Sequence, residues 1–459
     1  MIFYLFYFTL VFIEKFKKNL TTLFAYINFA VGTIILVFMK KFSNSFLAIL
    51  LVMCSCSSDD VRPDGGDPAN GTETGAATPL ATTRQIHLDA GETDALDSFT
   101  DISFDMLGKS QRLTDVNGEN NGNVSLSPVS AMICYSLLAQ SVDEPYRTEL
   151  VKALGFNDVE QLSGLSLKYM ALLPADGLGV KASLANSIWL TDRYTADARF
   201  ADTMREMMHV DVRSVDFSDG KAAASLINKW CSEHTGGLIK DFIDYVDRST
   251  LGIWINALYF YGAWDEKFDR ALTTREQFDG RDGDVRVPMM HARMDADYAA
   301  AGGFRYVAVP FDQNNYVLDL IIADDTEAEL TADTYRALKY GASAADVELG
   351  LPRFGVKTEL MLSDIYDGLA TAMENATLVT VGFPKSVTSQ MIKIKHNTSF
   401  SVDEDGAEAA AVTGAFLCTS TGNESEPEHV RVTFDRPFYF AITHTETRAV
   451  VMLGRINNL

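Results

Sequence analysis

An α+β fold is the class this sequence predicts, on three observations. Leu96, Phe99, Ile102 and Met106 recur at helical spacing, and the run MICYSLL around Cys134 is apolar and helical in pattern. Residues 391–402 (MIKIKHNTSFSV) and 430–442 (VRVTFDRPFYFAI) alternate and are rich in β-branched residues, which is strand chemistry. Apolar residues make up 47% of the 459, enough for a sizeable core.

In chain order, the first 55 residues stand apart from the fold. Met39-Lys40-Lys41, the apolar run 46–53 and Cys54-Ser55-Cys56 form a short secretory signal with a basic start. Its end resembles a lipoprotein box, with small Ser55 before the acceptor Cys56; Cys54, behind bulky Met53, is the second choice. Ser57-Ser58-Asp59-Asp60 resembles the acidic flag that sends some Gram-negative lipoproteins to the cell surface. The expectation is an outer-membrane lipoprotein facing outward. Residues 1–38 carry two more apolar runs around Lys15, Lys17 and Lys18 and read as sequence upstream of the true start. The alternative is one membrane span over 20–39, close to the ~20 residues a span needs. Residues 56–93, rich in Gly, Asp, Thr, Ala and Pro without apolar period, form a flexible tether. The folded domain covers 94–459.

Net charge is −23; without residues 1–55 it is −27, from 34 basic and 61 acidic side chains. With no Lys/Arg stripe on any helical pattern, nucleic acid is excluded as a partner. Outside the signal the cysteines are Cys134, Cys231 and Cys418. The first two are expected to pack in the core; Cys418, in an exposed loop, is open to oxidation. No GxSxG, HExxH, CxxC or P-loop is present, so no catalysis, cofactor or metal is expected. Gly177-Leu178-Gly179 mimics part of a dinucleotide fingerprint but follows a loop rather than a strand. The sequence DVNGEN at 115–120 mimics a calcium loop but has Leu126 where a bidentate Glu is needed.

The most informative stretch joins the two strand patterns. More than twenty residues after Asp403 have no core period, and connections longer than about 12–15 residues are uncommon unless functional or disordered. Yet Ala407, Ala409, Ala411, Thr413, Ala415, Leu417 and Thr419 fall on every second position. In an extended chain they share one small, uncharged face, while Glu408 lies on the other. This is a loop with the composition to become a strand.

Here the residues carry a resemblance. Glu404-Asp405-Gly406-Ala407-Glu408-Ala409-Ala410-Ala411-Val412-Thr413 resembles the reactive-loop hinge of the serpin family. NVSLSPVS (123–130), INKWCSEHTGGLI (227–239), INALYFYGAW (255–264), VPMM (287–290), LPRF (351–354), DRPF (435–438) and Gly454-Arg455 are similar to further serpin motifs in the family's order. The likeness covers 94–459 and implies three β-sheets wrapped by helices, with a reactive loop exposed over about 404–429. It also implies a monomeric suicide-substrate inhibitor. A protease cuts the loop, an acyl-enzyme forms, and the hinge side enters the central sheet as a new strand before deacylation. The partners implied are target proteases, with membrane contact through the lipid anchor alone. The alternative is a non-inhibitory protein of the same fold, a protease substrate or surface binder.

By the same resemblance, Ser127, Ser130, Asn256 and His396 form a buried polar cluster where two central strands part, and Trp264 stands at the sheet's upper opening. From the residues alone, His396 is a satisfied core histidine; joined with the resemblance, it belongs to a buried, fully bonded network that holds the sheet shut until the loop enters. Ala407 replaces the usual Thr or Ser of the hinge but is still small and neutral. Counting forward from Gly406 places the reactive bond at Ser420-Thr421; counting back from Phe434 places it near Glu426-Pro427, where Pro blocks cleavage. The forward count is preferred. Small side chains there suit elastase-like or subtilisin-like serine proteases. A papain-like cysteine protease reading Leu417 would cut at Cys418-Thr419 instead.

Overall fold

The computed structural model describes residues 82–83, 85–117, 120–173, 180–193, 197–237, 239–311, 315–366, 392–406 and 428–459. The first helix, α1 (Ala90–Asn117), starts on a reciprocal cap. The amide of Glu92 donates to Asp89 Oδ1 at 2.8 Å, and that of Asp89 to Glu92 Oε2 at 2.9 Å. Leu96, Phe99 and Met106 face inward as their spacing predicts. After strand β1 (Val124–Leu126), Ser127 caps α2 (Pro128–Ala139), in which every residue is buried. Pro128 suits the first helical position, where no N–H is needed. Helix α2 packs against α4 (Val159–Leu172), and α3 (Tyr146–Ala153) lies beside both. Past α5 (Ala198–Glu206) comes α6 (Gly220–His234). Cys134 is in α2 and Cys231 in α6; both are buried, and burial pushes the Cys231 thiol up to about 12.

Two hydrogen-bonded sheets occur among the described residues. The five-stranded one has the order β10 (Phe354–Met361), β11 (Ile392–Val402), β4 (Gly252–Gly262), β2 (Val180–Thr191), β3 (Asp211–Val215). Its β11–β4 and β2–β3 neighbours run parallel, the others antiparallel. The nine-stranded sheet is built on β6 (Gly283–Ala301), which pairs with β5 (Thr274–Gly280) from Gly283 to Met289 and with β9 (Ser343–Pro352) from Met289 to Tyr298. Its last residues pair with β7 (Phe304–Pro310). Strands β8 (Tyr316–Ala323), β13 (Phe438–His444) and β14 (Val450–Ile456) continue to β1. The three groups of strands are present, two of them joined through β6.

The pattern at 430–442 divides into two strands. β12 (Glu428–Thr433) lies parallel to β9, while β13 lies antiparallel between β8 and β14. Asp435-Arg436-Pro437 separates them, because proline has no N–H for a ladder and bends the chain out of it.

The nine-stranded sheet is pinned to α7 (Ala332–Gly341) by one buried carboxylate, Asp319 on β8. Tyr306 donates to its Oδ1 at 2.6 Å; Tyr335, Lys339 and Thr443 donate to its Oδ2 at 2.5, 2.6 and 3.1 Å. A buried ion that loses its partner is costly even where the intact pair is close to neutral. Asp319→Ala is therefore expected to destabilise the domain by about 3–5 kcal/mol. Urea unfolding checks this, and a loss under ~1 kcal/mol would show that the pin is dispensable.

Candidate functional site: the slot between β4 and β11

Strands β11 and β4 are paired from Ile392 with Gly252 to Ser399 with Tyr259. Beyond that rung β11 runs on to Val402 and β4 to Gly262. Asp403 and Gly406 then close a tight turn at the end of β11. The Asp403 amide donates to the Gly406 carbonyl at 2.9 Å, and the Gly406 amide to the Asp403 carbonyl at 3.3 Å. Gly406 has φ +110°, which favours glycine. A Cβ on it would lie 2.3 Å from the Gly262 carbonyl oxygen and 2.5 Å from Ala263 Cα. Gly406 thus sits in the mouth of the slot, bonded to the end of β11 on one side and touching the end of β4 on the other.

Trp264 ties the two ends together. It is buried, stacks on Phe311 with ring centroids 5.0 Å apart, and donates through Nε1 to the Asp403 carbonyl at 2.7 Å. Trp264 therefore lies beside the Asp403–Gly406 turn. The Glu404 carboxylate is buried; it accepts from Arg353 Nη2 at 2.5 Å and from Thr273 Oγ1 at 2.6 Å. Burial pushes this carboxyl up, but Arg353 and Thr273 outweigh that and hold it below its ordinary range. Asp405 pairs with Arg270 and, at 3.5 Å, with Lys267, both on the connection that leaves β4.

Behind the slot, His396 on β11 faces Asn256 on β4 in register, and Asn256 faces Asn186 on β2. His396 Nε2 accepts from the Ser127 amide at 2.9 Å, so its Nδ1 carries the proton. Ser127 Oγ accepts from the Ser130 amide at 3.2 Å and donates to the Val451 carbonyl at 2.6 Å. Asn256 Nδ2 donates to Asn186 Oδ1 at 2.7 Å. Ser127 is thus bonded to both His396 and Ser130, and Asn256 lies beside His396 in register. His396 lies within the paired ladder, three rungs below its last pair. Among the described residues, His396 Nδ1, Ser130 Oγ and Asn256 Oδ1 have no hydrogen-bond partner.

Sequence reasoning missed Asn186, Thr273 and Arg353. Arg353 lies inside the LPRF motif, but nothing local points it at Glu404. Of the other predicted residues, Glu404, Asp405 and Gly406 form the turn just described. Ala407 to Thr413, the reactive-bond candidates Leu417, Cys418, Thr419, Ser420 and Thr421, and Cys56 lie outside the described residues.

Residues 98–459 match the family described as serpin (serine protease inhibitor). The chain belongs to the serpin family. It is 28% identical to an antitrypsin of Bombyx mori over 358 residues, 75% of this chain and 90% of that protein. It is 28% identical to antichymotrypsin-2 of the same organism over 342 residues, 71% and 90% of the two. Among solved structures, the thermophilic serpin tengpin in its native state aligns at TM-score 0.70 and 24% identity, over 85% of this chain and all of tengpin. Human thyroxine-binding globulin, solved with its hormone, aligns at 0.68 and 20% identity, over 80% and 99%. These structures show the serpin fold. One of them is a binding protein, so the fold alone does not assign inhibition to this serpin.

Burial lowers the His396 imidazole to about 4 from its ordinary 6.5. The folded state is then the poorer proton acceptor, so this contribution is intact above pH 6.5 and is lost as pH falls towards 4. The loss should total about 3 kcal/mol at pH 4. Unfolding from pH 7.5 to 4 in the parent and in His396→Asn checks it, because the difference between the curves isolates His396. Parallel curves would contradict the assignment.

Proposed function

We propose that this serpin is an irreversible suicide-substrate inhibitor of elastase-like and subtilisin-like serine proteases, with papain-like cysteine proteases as the second target class. The observation that carries the reading is Gly406 in the mouth of a slot between parallel strands. A chain leaving Gly406 downward lies antiparallel to both β11 and β4. Entry replaces one parallel ladder with two antiparallel ones, and antiparallel pairing is slightly the more stable per residue. Residues 407–420 span about 46 Å when extended at ~3.3 Å each, enough to run the length of either strand.

In this mechanism the protease attacks the Ser420 carbonyl and the Thr421 amine leaves with a proton, so residue 420 is esterified to the protease. The freed hinge side enters the slot and carries the protease with it. Inhibition is a race between insertion and deacylation, so the native state has to be kinetically held. The small face from Ala407 to Thr419 supports this reading over the non-inhibitory alternative, because it carries no charge or proline to block burial. Neither Arg nor Lys lies near the cut, so a trypsin-like pocket would leave its buried acid unpaired. A lipid on Cys56 would hold this inhibitor at the outer surface of a Gram-negative cell, where it would meet foreign proteases. Incorporation of a labelled fatty acid that is lost in Cys56→Ala but kept in Cys54→Ala tests the anchor.

Incubation with a protease panel followed by denaturing gel electrophoresis tests the inhibition. A denaturant-stable complex with elastase or subtilisin is expected, with a released fragment beginning at Thr421. Clean nicking without complex would select the substrate reading. Ala409→Arg or Ala411→Glu should turn the inhibitor into a substrate, because burying an unpaired charge costs on the order of several kcal/mol and slows insertion alone. An unchanged stoichiometry of inhibition in both variants would mean that this face does not enter the sheet.

A further inference from the structure

The turn at the slot mouth is held on every residue. Trp264 holds the Asp403 carbonyl, the Phe268 amide donates to the Glu404 carbonyl at 3.1 Å, and Gly406 is bonded back to Asp403. Asp405 differs from these. Its amide donates to Asp403 Oδ1 at 2.9 Å, and its carboxylate pairs with Arg270 and Lys267. Those two residues belong to the connection that leaves the top of β4, whereas Asp405 belongs to the end of β11. The ion pair therefore spans the mouth from one strand to the other. Arg270 is 64% exposed and Lys267 39%, so solvent and salt reach this contact.

A tie across a slot opposes opening only where the strands have yet to separate. At the mouth they already have Gly406 between them, while the ladder below is still paired up to Ser399 and Tyr259. The tie spans the part that is open and leaves the closed part free to unzip. We propose that Asp405, through Arg270 and Lys267, is a positioning residue for loop insertion, holding Gly406 as the first rung of the incoming strand before the loop is cut. The proposal rests on the inhibitor reading and adds a determinant of its efficiency. Without the tie, the hinge has to find the mouth after cleavage, while deacylation is already running. The arginine also holds the Asp405 carboxyl below its usual range, so the tie persists across neutral and mildly acid pH.

The test follows tryptophan fluorescence after rapid mixing with saturating subtilisin, in the parent, Asp405→Asn, Arg270→Gln and the exchange D405R/R270D. Trp264 at the mouth makes strand entry visible as a phase after cleavage. For an exposed ion pair, the two single variants should slow that phase roughly two- to fivefold. The exchange should restore it, and nicking rates on gels should not change. Sodium chloride at about 0.5 M should slow the parent and leave Asp405→Asn unaffected, since screening removes the same contact. An equal or faster phase in Asp405→Asn would overturn the positioning role while leaving the inhibitor reading standing. Absence of any phase after cleavage in the parent would overturn both.

Discussion

The parallel ladder between β4 and β11 is the interaction on which the rest of this structure depends. It joins the strands over eight register pairs, and under the proposed mechanism it is the ladder that an incoming strand replaces. Everything around it fits that demand. The ladder is closed along its length and held apart at its mouth, where Gly406 touches Gly262 and Ala263. Only glycine suits that point, because its φ is positive and any Cβ would overlap backbone atoms. The slot therefore has a defined entrance and a defined direction of travel.

A polar row lies behind the ladder. Asn186, Asn256 and His396 cross three strands, and α2 reaches them through the Ser127 amide. Asn256 and His396 stand in register on the two strands that flank the slot, so a strand entering there would separate them.

Much of this was legible in the sequence, and the part that was not has a common cause. The spacing of Leu96, Phe99 and Met106 marked α1, and the alternation over 391–402 marked β11, because local periodicity reports which face is buried. The small alternating face after Gly406 was legible as a pattern, but it lies outside the described residues. The Arg353–Glu404 and Asp319–Lys339 pairs were not, since each depends on strand registers and helix placement that no local pattern encodes. His396 was singled out by motif, but its bond from the Ser127 amide depends on how α2 sits against β11. Pro437 was the signal that 430–442 could not be a single strand, and the alternation on either side concealed it.

The central claim is that the chain after Gly406 enters between β4 and β11 once it is cut. The most direct measurement is the melting curve of the intact protein beside that of the same protein nicked once within residues 407–427. Two antiparallel ladders in place of one parallel ladder predict a midpoint well above that of the intact chain. An equal or lower midpoint would contradict a trapped native state, and with it the account of the slot.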